Sequence, residues 1–301
     1  MNEPFVFLIL LNWNGWRDTI ECVESCRKLT YPAFRIVIVD NGSTDGSETI
    51  LRERFPGIEL IQTGSNLGFS GGNNAGIRHA LEHGADYVWL LNNDTVVDAG
   101  ALTALVGAAE CDDRIGMIGS KIVYYDNPGL LWYAGALLDP ACPHRPAHRG
   151  LRELDRGQYD DAVETGYVTG CSLLARRKMI DEIGLLDDSL FLYFEDADWS
   201  ARARHAGWRL MYAPASVVRH KESVSAGGAA SPTLVYYTAR NRLFFVRRNF
   251  PAKIGKALLY DLYEHVLVNI KKGRLPAARA GFRGVRDFLL GRVGRMPTVR
   301  N

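Results

Sequence analysis

Residues 5–15 read Phe5-Val6-Phe7-Leu8-Ile9-Leu10-Leu11-Asn12-Trp13-Asn14-Gly15, and the break after Leu11 decides the fold. Seven apolar residues in a row suit a fully buried strand and fall far short of the ~20 needed to cross a bilayer. Glu3 puts an acid where a secretory signal needs a basic region, so the run is expected to be a first strand. Beyond Gly15, Thr19, Ile20, Val23 and Cys26 recur at helical spacing, and residues 35–39 form a second aliphatic run. The alternation continues with a helix from about Asp45 capped by Ser43 or Thr44, a strand at 58–62, a helix over 70–82 and a strand at 87–91. Strands alternating with helices of this length predict a mostly parallel α/β sheet covered on both faces. Ligands of such sheets bind beyond the carboxyl ends of the strands.

Four consecutive strand ends carry small and polar residues: Asn12 to Gly15, Asp40 to Ser43, Gly64 to Asn74 and Asn92 to Asp94. Any one of them reads as a plain turn. All four on one rim predict a binding crevice. Further on, residues 124–164 are rich in Pro and Arg and form an excursion, residues 166–175 read as a strand, 196–206 as a helix, and 208–212 as a strand ended by Pro214. Beyond about Gly227 the pattern is helical, and there is no internal repeat.

With 301 residues, 47% of them apolar and 23% charged, the chain is neither disordered nor fibrous. Five cysteines without a C-x-x-C pair argue against a disulfide framework and for a reducing, cytoplasmic compartment. Cys142, His144 and His148 lack a fourth ligand at zinc-site spacing and read as a surface loop. The net charge of +2 conceals an asymmetry: from Arg240 onward there are 15 Lys or Arg against 3 Asp or Glu, whereas the first 239 residues hold 21 against 31. A basic tail permits a nucleic-acid-binding reading, but that leaves the acidic body and its strand-end motifs unexplained.

Neither common nucleotide motif is present. There is no G-x-x-x-x-G-K-S/T, and the glycines at 68, 71 and 72 follow the third strand with the wrong spacing for a dinucleotide fingerprint. Asn92-Asn93-Asp94 instead puts a carboxylate and two amides at the crevice, a set that suits a hard divalent cation or simply caps the next element. Glu195, Asp196 and Asp198 stand among Tyr193, Phe194 and Trp199. Acids there gain from a helix N-terminus, or one of them, partly desolvated, has its pKa raised toward that of a general base. His220 is a structural histidine or a metal ligand.

Taken in order, Asn12 to Gly15, Val37 to Ser47, Ser65 to Gly76, Leu90 to Asp94, Tyr167 to Cys171, Phe191 to Trp199 and Val218 to His220 resemble the family-2 inverting glycosyltransferases of GT-A fold, and within them the bacterial rhamnosyltransferases. The resemblance spans about residues 5–250. It implies a catalytic domain over 1–226, with nucleotide-sugar binding about 1–120 and the acceptor part about 121–226, followed by a basic helical extension over 227–301. Asp40 then corresponds to the acid that bonds a uracil or thymine ring, with Asn12 and Asn14 beside the nucleoside. Asn66, Gly68, Gly72 and Asn73 match the ribose and diphosphate segment. Asp94 ends the metal-holding D-x-D-like motif, in which Asn92 departs from the family's first aspartate and Asn93 lies between. His220 matches a distal metal ligand and Asp196 the catalytic base. The implied cofactor is a divalent cation, with Mn2+ favoured by the histidine over Mg2+. The implied partners are a dTDP- or UDP-sugar donor, with dTDP-L-rhamnose favoured, and a saccharide or lipid-linked acceptor, with no nucleic acid.

Trp132 and Tyr133 either line the acceptor site or pack under a loop. In the tail, Ile254, Leu258, Leu262, Val266 and Ile270 form one apolar stripe, and Phe282, Val285, Leu289 and Val293 another, beside Arg279, Arg283 and Arg286 with Arg292 and Arg295 following. Either the stripes pack on the catalytic domain or the helices lie on an anionic membrane surface, which would place the enzyme on the inner face of the cell membrane.

Overall fold

The computed structural model describes residues 3–221 and 231–296. Its first third is the expected alternation: β1 (Val6–Asn12), α1 (Trp16–Cys26), β2 (Phe34–Asp40), α2 (Ser47–Arg54), β3 (Glu59–Gln62), α3 (Gly68–Glu82) and β4 (Tyr87–Asn92). Strands β3, β2, β1 and β4 lie side by side in parallel. Alternate residues of β1 serve opposite faces: Val6, Leu8 and Leu10 pack with Cys22, Val23 and Cys26 of α1, while Phe7 and Ile9 pack with Ile77 and Ala80 of α3. Burial on both faces explains the unbroken apolar run, each side chain of that kind contributing about 1.5–3 kcal/mol.

Neither Ser43 nor Thr44 caps α2, contrary to expectation. The Ser43 hydroxyl accepts from the Asn14 amide N–H at 2.8 Å and from Asn12 Nδ2 at 3.1 Å, and Gly46, at φ +84°, turns the chain into the helix instead. Helix α3 starts at Gly68, two residues earlier than expected, so the glycine-rich segment is helical from Gly68 onward.

The sheet continues through β5 (Thr95–Val97), α4 (Ala101–Ala109), β6 (Ile115–Tyr124), β7 (Leu131–Tyr133), β8 (Ala136–Leu137), β9 (Ala147–His148), β10 (Val163–Glu164), β11 (Ser172–Arg176), α5 (Arg177–Ile183), α6 (Glu195–His205) and β12 (Arg209–His220). Strand β11 runs antiparallel between β4 and β6, and β12 runs parallel to β6. The strand expected over 166–175 begins only at Ser172, because Thr169 to Cys171 turn the chain and the Ser172 N–H bonds Thr169 O. Pro214 does not end the other expected strand. A register shift between Ala213 and Val217 loops it out, and β12 runs on to His220.

Helices α7 (Pro232–Asn249), α8 (Ile254–Asp261), a π-turn over Leu262–Leu267, α9 (Val268–Lys271) and α10 (Leu275–Leu289) follow among the described residues, and the expected boundary at 226/227 lies outside them. Among the described residues no helix is long and apolar enough to cross a membrane. The two expected apolar stripes divide differently than the sequence suggests. Ile254, Leu258 and Leu262 pack on the core, but Leu259, Tyr263, Leu267 and Ile270 form an outward stripe; of the second stripe only Val285 is buried, while Phe282, Leu289 and Val293 are exposed.

Candidate active site

Strand register builds the rim. Asn12 lies opposite Asp40, Asp40 opposite Gln62, and Leu11 opposite Asn92, so the polar residue ending each strand meets its neighbours laterally. Asp40 has no exposed surface; its carboxylate accepts from Asn12 Nδ2 at 2.6 Å, the Ser43 N–H at 3.1 Å and Gln62 Nε2 at 2.7 Å. A nucleobase could reach Asp40 only if Gln62 or Ser43 gave way. Asn12 is equally enclosed and accepts from Thr19 Oγ1 at 2.8 Å. Asn14, in the left-handed region at φ +53°, is exposed and accepts the Thr44 N–H at 2.8 Å.

Asn41, absent from the expected site, ties two strand ends together. It accepts from the Leu67 N–H at 3.0 Å and donates to Gly68 O at 3.0 Å, while Asn66 Oδ1 accepts the Gly68 N–H at 2.8 Å. The glycines of α3 serve close packing within the protein. A Cβ on Gly68, at φ +76°, would lie 2.2 Å from Phe191 O, and one on Gly72 would lie 2.4 Å from Leu11 Cδ1. Asn73 is buried and donates to Phe69 O at 2.9 Å. These three therefore shape the rim from behind, whereas Asn14, Asn66 and Asn92 keep exposed surface.

Asn93 turns away to bond Thr19 Oγ1 at 2.9 Å, but Asp94 meets His220. The pairing of β5 with β12 puts Thr95 opposite His220, and Asp94 Oδ1 stands 3.3 Å from His220 Nε2, both side chains buried. Burial works to lower the imidazole pKa, yet the neighbouring groups leave it well above its ordinary value. We assign that net rise to the Asp94 carboxylate, because burial pushes the Cys171 thiol up and keeps it neutral. The separation is close to the roughly 3 Å between adjacent ligands of an octahedral ion with bonds of about 2.1 Å. Among the described residues no group of three His, Cys, Asp or Glu side chains could hold a metal. A cation here would take its other ligands from water or a bound diphosphate. His220 also packs edge-on to Trp132, with ring centroids 4.7 Å apart. Tyr133 does not line the site: it is fully buried, its hydroxyl donating to Tyr167 O at 2.8 Å.

Asp196, partly exposed, accepts the Gly170 N–H at 3.0 Å and the Ala197 N–H at 2.7 Å. Burial raises its pKa, against the pull of these bonds. Glu195 is more deeply buried, and burial together with the Asp196 charge raises its pKa well above the ordinary carboxylate range, so it is the proton-holding member of the pair. Asp198 is not a spare base: with no exposed surface it accepts from Arg202, Arg248 and Asn249, each at 2.9 Å, and pins α6 to α7. Trp199 is core, its indole donating to Gly184 O.

One turn joins the two halves of the site. Gly170 bonds Asp196, and the next residue, Cys171, contacts His220 with its thiol and accepts the Asn92 N–H at 3.0 Å with its carbonyl. The carboxylate suited to act as a base and the Asp94–His220 pair thus flank a single two-residue turn.

The profile of glycosyl transferase family 2 matches residues 8–184, more than half of the chain. The chain belongs to glycosyl transferase family 2. This glycosyltransferase is 28% identical to the N-acetylglucosaminyl-diphospho-decaprenol L-rhamnosyltransferase of Mycobacterium tuberculosis, over 71% of its own length and 75% of that protein's. It is 25% identical to the dTDP-rhamnosyl transferase RfbF of Shigella flexneri, over 71% of each chain. Among solved structures it superposes on GalNAc-T7 with UDP, GalNAc and Mn2+ at a TM-score of 0.64 and 18% identity, over 82% of this chain and 48% of that longer one. The mannosyltransferase PcManGT of Pyrobaculum calidifontis, in complex with GDP-Man and Mn2+, gives 0.59 at 14% identity, over 97% of this chain and 88% of that one. The fold is GT-A, as the sequence resemblance implied, with a mostly parallel mixed sheet flanked by helices and a C-terminal helical region.

Proposed function

We propose that this glycosyltransferase moves L-rhamnose from dTDP-L-rhamnose onto a hydroxyl of a saccharide or lipid-linked saccharide, inverting the anomeric centre; another UDP- or dTDP-sugar is the second reading for the donor. The observation that carries the mechanism is the Gly170–Cys171 turn, which holds Asp196 on one side and His220 on the other. Asp196, its proton affinity raised by burial, removes the acceptor proton as the acceptor oxygen attacks the anomeric carbon. The carbon–oxygen bond to the diphosphate breaks on the opposite face, and the nucleoside diphosphate departs. Asp94 and His220 would hold a divalent cation, Mn2+ by preference or Mg2+, which when bound neutralises charge on the diphosphate. Asn14, Asn66 and Asn92 offer polar contacts to the donor, while Asn12, Asp40, Gly68, Gly72, Asn73 and Asn93 fix the rim that carries them. The rhamnosyl relatives support the donor, and the decaprenol in one relative's name supports a lipid-linked acceptor.

The basic helices would then hold the enzyme on the anionic inner face of the cell membrane, a reading supported by nine exposed large apolar side chains between Leu259 and Val293. Isothermal titration of the donor tests the cation site. Asp94→Ala and His220→Ala both weaken Mn2+-dependent binding, Asp94→Ala more because it removes charge as well as a ligand atom. Full turnover in excess chelator would refute the cation's role, and retention of the donor's anomeric configuration in the product would refute inversion.

A further inference from the structure

The C-terminal helices do more than present a basic face. Between the stretch 254–271 and α10 lies a groove of about 440 Å3, within the size range of small-ligand sites, walled by Val266, Ile270, Leu275 and Phe282 with Arg279 and Arg286 at its edge. Ile270, Leu275 and Phe282 are each half or more exposed. We propose that this groove binds one anionic phospholipid of the bilayer, its phosphate against the guanidiniums and an acyl chain along the apolar wall. This rests on the membrane-surface reading above and adds a defined lipid site to it.

Charge selects an anion. Residues 254–296 carry nine Lys or Arg and three Asp or Glu. Two of the three acids are internal: Asp261 is fully buried against Arg242, and Asp287 is fully buried with Arg283, Arg286 and Arg292 at 3.9, 2.9 and 3.4 Å. The segment thus carries six more basic than acidic residues, and Arg279 and Arg286 stand in the lining of the groove. Guanidinium pairs well with phosphate oxygens.

The apolar wall narrows the class of anion. A nucleic acid supplies phosphate but nothing to cover Ile270, Leu275 and Phe282, whose exposure costs about 25 cal/mol per Å2 of apolar surface left in water. A second copy of this chain would bring a second set of arginines against the first. An anionic amphiphile satisfies both the charge and the apolar wall.

The test uses the full chain with phosphatidylcholine vesicles, with and without phosphatidylglycerol, and native mass spectrometry after extraction with phosphatidylglycerol. The wild type is expected to float only with anionic vesicles and to retain one lipid per chain. Ile270→Ser and Phe282→Ser, both at exposed positions that the fold does not need, should lose the retained lipid. Arg279→Ser should weaken flotation about fivefold, the effect of removing one cation near an anionic leaflet. Leu290→Ser, equally exposed but outside the groove, should keep the lipid. Retention of lipid by both groove variants, or its equal loss in Leu290→Ser, overturns the site while flotation of the intact protein still stands. Absence of flotation with one lipid retained would sink the membrane reading and support the site. A dimer in sedimentation that dissociates in Phe282→Ser would give the groove to a second copy instead.

Discussion

Two acidic segments frame the crevice, and they are built in opposite ways. Asp40 belongs to a rim assembled by strand register from residues within about one βαβ unit; it is enclosed, and its carboxylate already has three donors. Asp196 follows a segment in which Phe191, Tyr193 and Phe194, none of them glycine, all sit at φ between +66° and +73°. Such backbone costs about 1–3 kcal/mol per residue and persists only when its surroundings over-determine it. The surroundings here come from far along the chain: Asn241 of α7 donates to Leu190 O and Leu192 O at 2.8 Å and to Tyr193 O at 2.9 Å, and Arg240 donates to Leu190 O at 3.0 Å. Phe191 O in turn accepts the Phe69 N–H at 2.7 Å, against the glycine that opens α3. The satisfied segment is scaffold, and the strained one carries the carboxylate proposed as the base.

That contrast is broken most directly at Asp196 itself. Asp196→Asn should fold, at some cost in stability because Gly170 and Ala197 donate to different carboxylate oxygens and the amide can accept from only one of them, and it should bind donor with little change. Turnover should fall by about 10^2 to 10^4-fold, the usual contribution of a general base. A loss of less than tenfold in kcat would remove Asp196 from that role.

Asn241 sharpens the comparison at long range. Its amide is buried and donates to three backbone carbonyls, so Asn241→Ala should leave the donor Kd nearly unchanged while kcat falls by up to about 10^2-fold, because a displacement of about 1 Å at a reacting group costs that much. A matched loss in kcat and in donor affinity would mean that the fold has loosened generally. Tm should fall in either case, because unsatisfied buried carbonyls cost about 1–3 kcal/mol each, so the donor Kd separates the two.

Much of the first segment was legible in the sequence, and the reason is locality. The break at Asn12, the run before Asp40 and the apolar strand before Asn92 each declare a strand end within a few residues. Register then brings them together without further information. The second segment was legible only as a cluster of acids. Nothing near Asp198 indicated that Arg248 and Asn249 would claim it, and nothing near Tyr133 distinguished a core tyrosine from an acceptor platform. Periodicity identified the tail helices but not which side of each would face inward, because the first of them is apolar on two sides. Asn41 lay in plain view between Asp40 and Gly42, yet its role depends on the approach of residues 66–68 from another loop.

The scaffold side of the contrast predicts a stability effect without a catalytic one. Gly72→Ala places a methyl group 2.4 Å from Leu11 Cδ1, with Asn41 Nδ2 at 3.1 Å. Overpacking of this kind costs about 1–3 kcal/mol. A lowered Tm with kcat per folded molecule unchanged is the expected result. A selective rise in donor KM would instead show that Gly72 approaches the donor directly.

The smallest effect expected is at Glu195, where it falls on pH dependence. Glu195 holds its proton because of burial and the adjacent Asp196 charge, so Glu195→Gln imitates the protonated side chain and should preserve kcat. With Asp196 as the proposed base, the acid limb of kcat should follow its titration, and its raised pKa should place the loss of activity above the ordinary aspartate range as pH falls. That limb should stay in place in the variant, because burial, not Glu195, leads the shift. Stability behaves differently. A carboxyl whose folded pKa exceeds its unfolded value contributes stability that is complete below the unfolded pKa and is lost as pH rises through the folded one. The wild type should therefore lose stability relative to Glu195→Gln from about pH 4.3 upward, the ordinary glutamate pKa. Denaturant midpoints of the two proteins measured across that range would test it. A constant difference at every pH would mean that Glu195 is ionised in the fold and that the strained segment carries two charges instead of one.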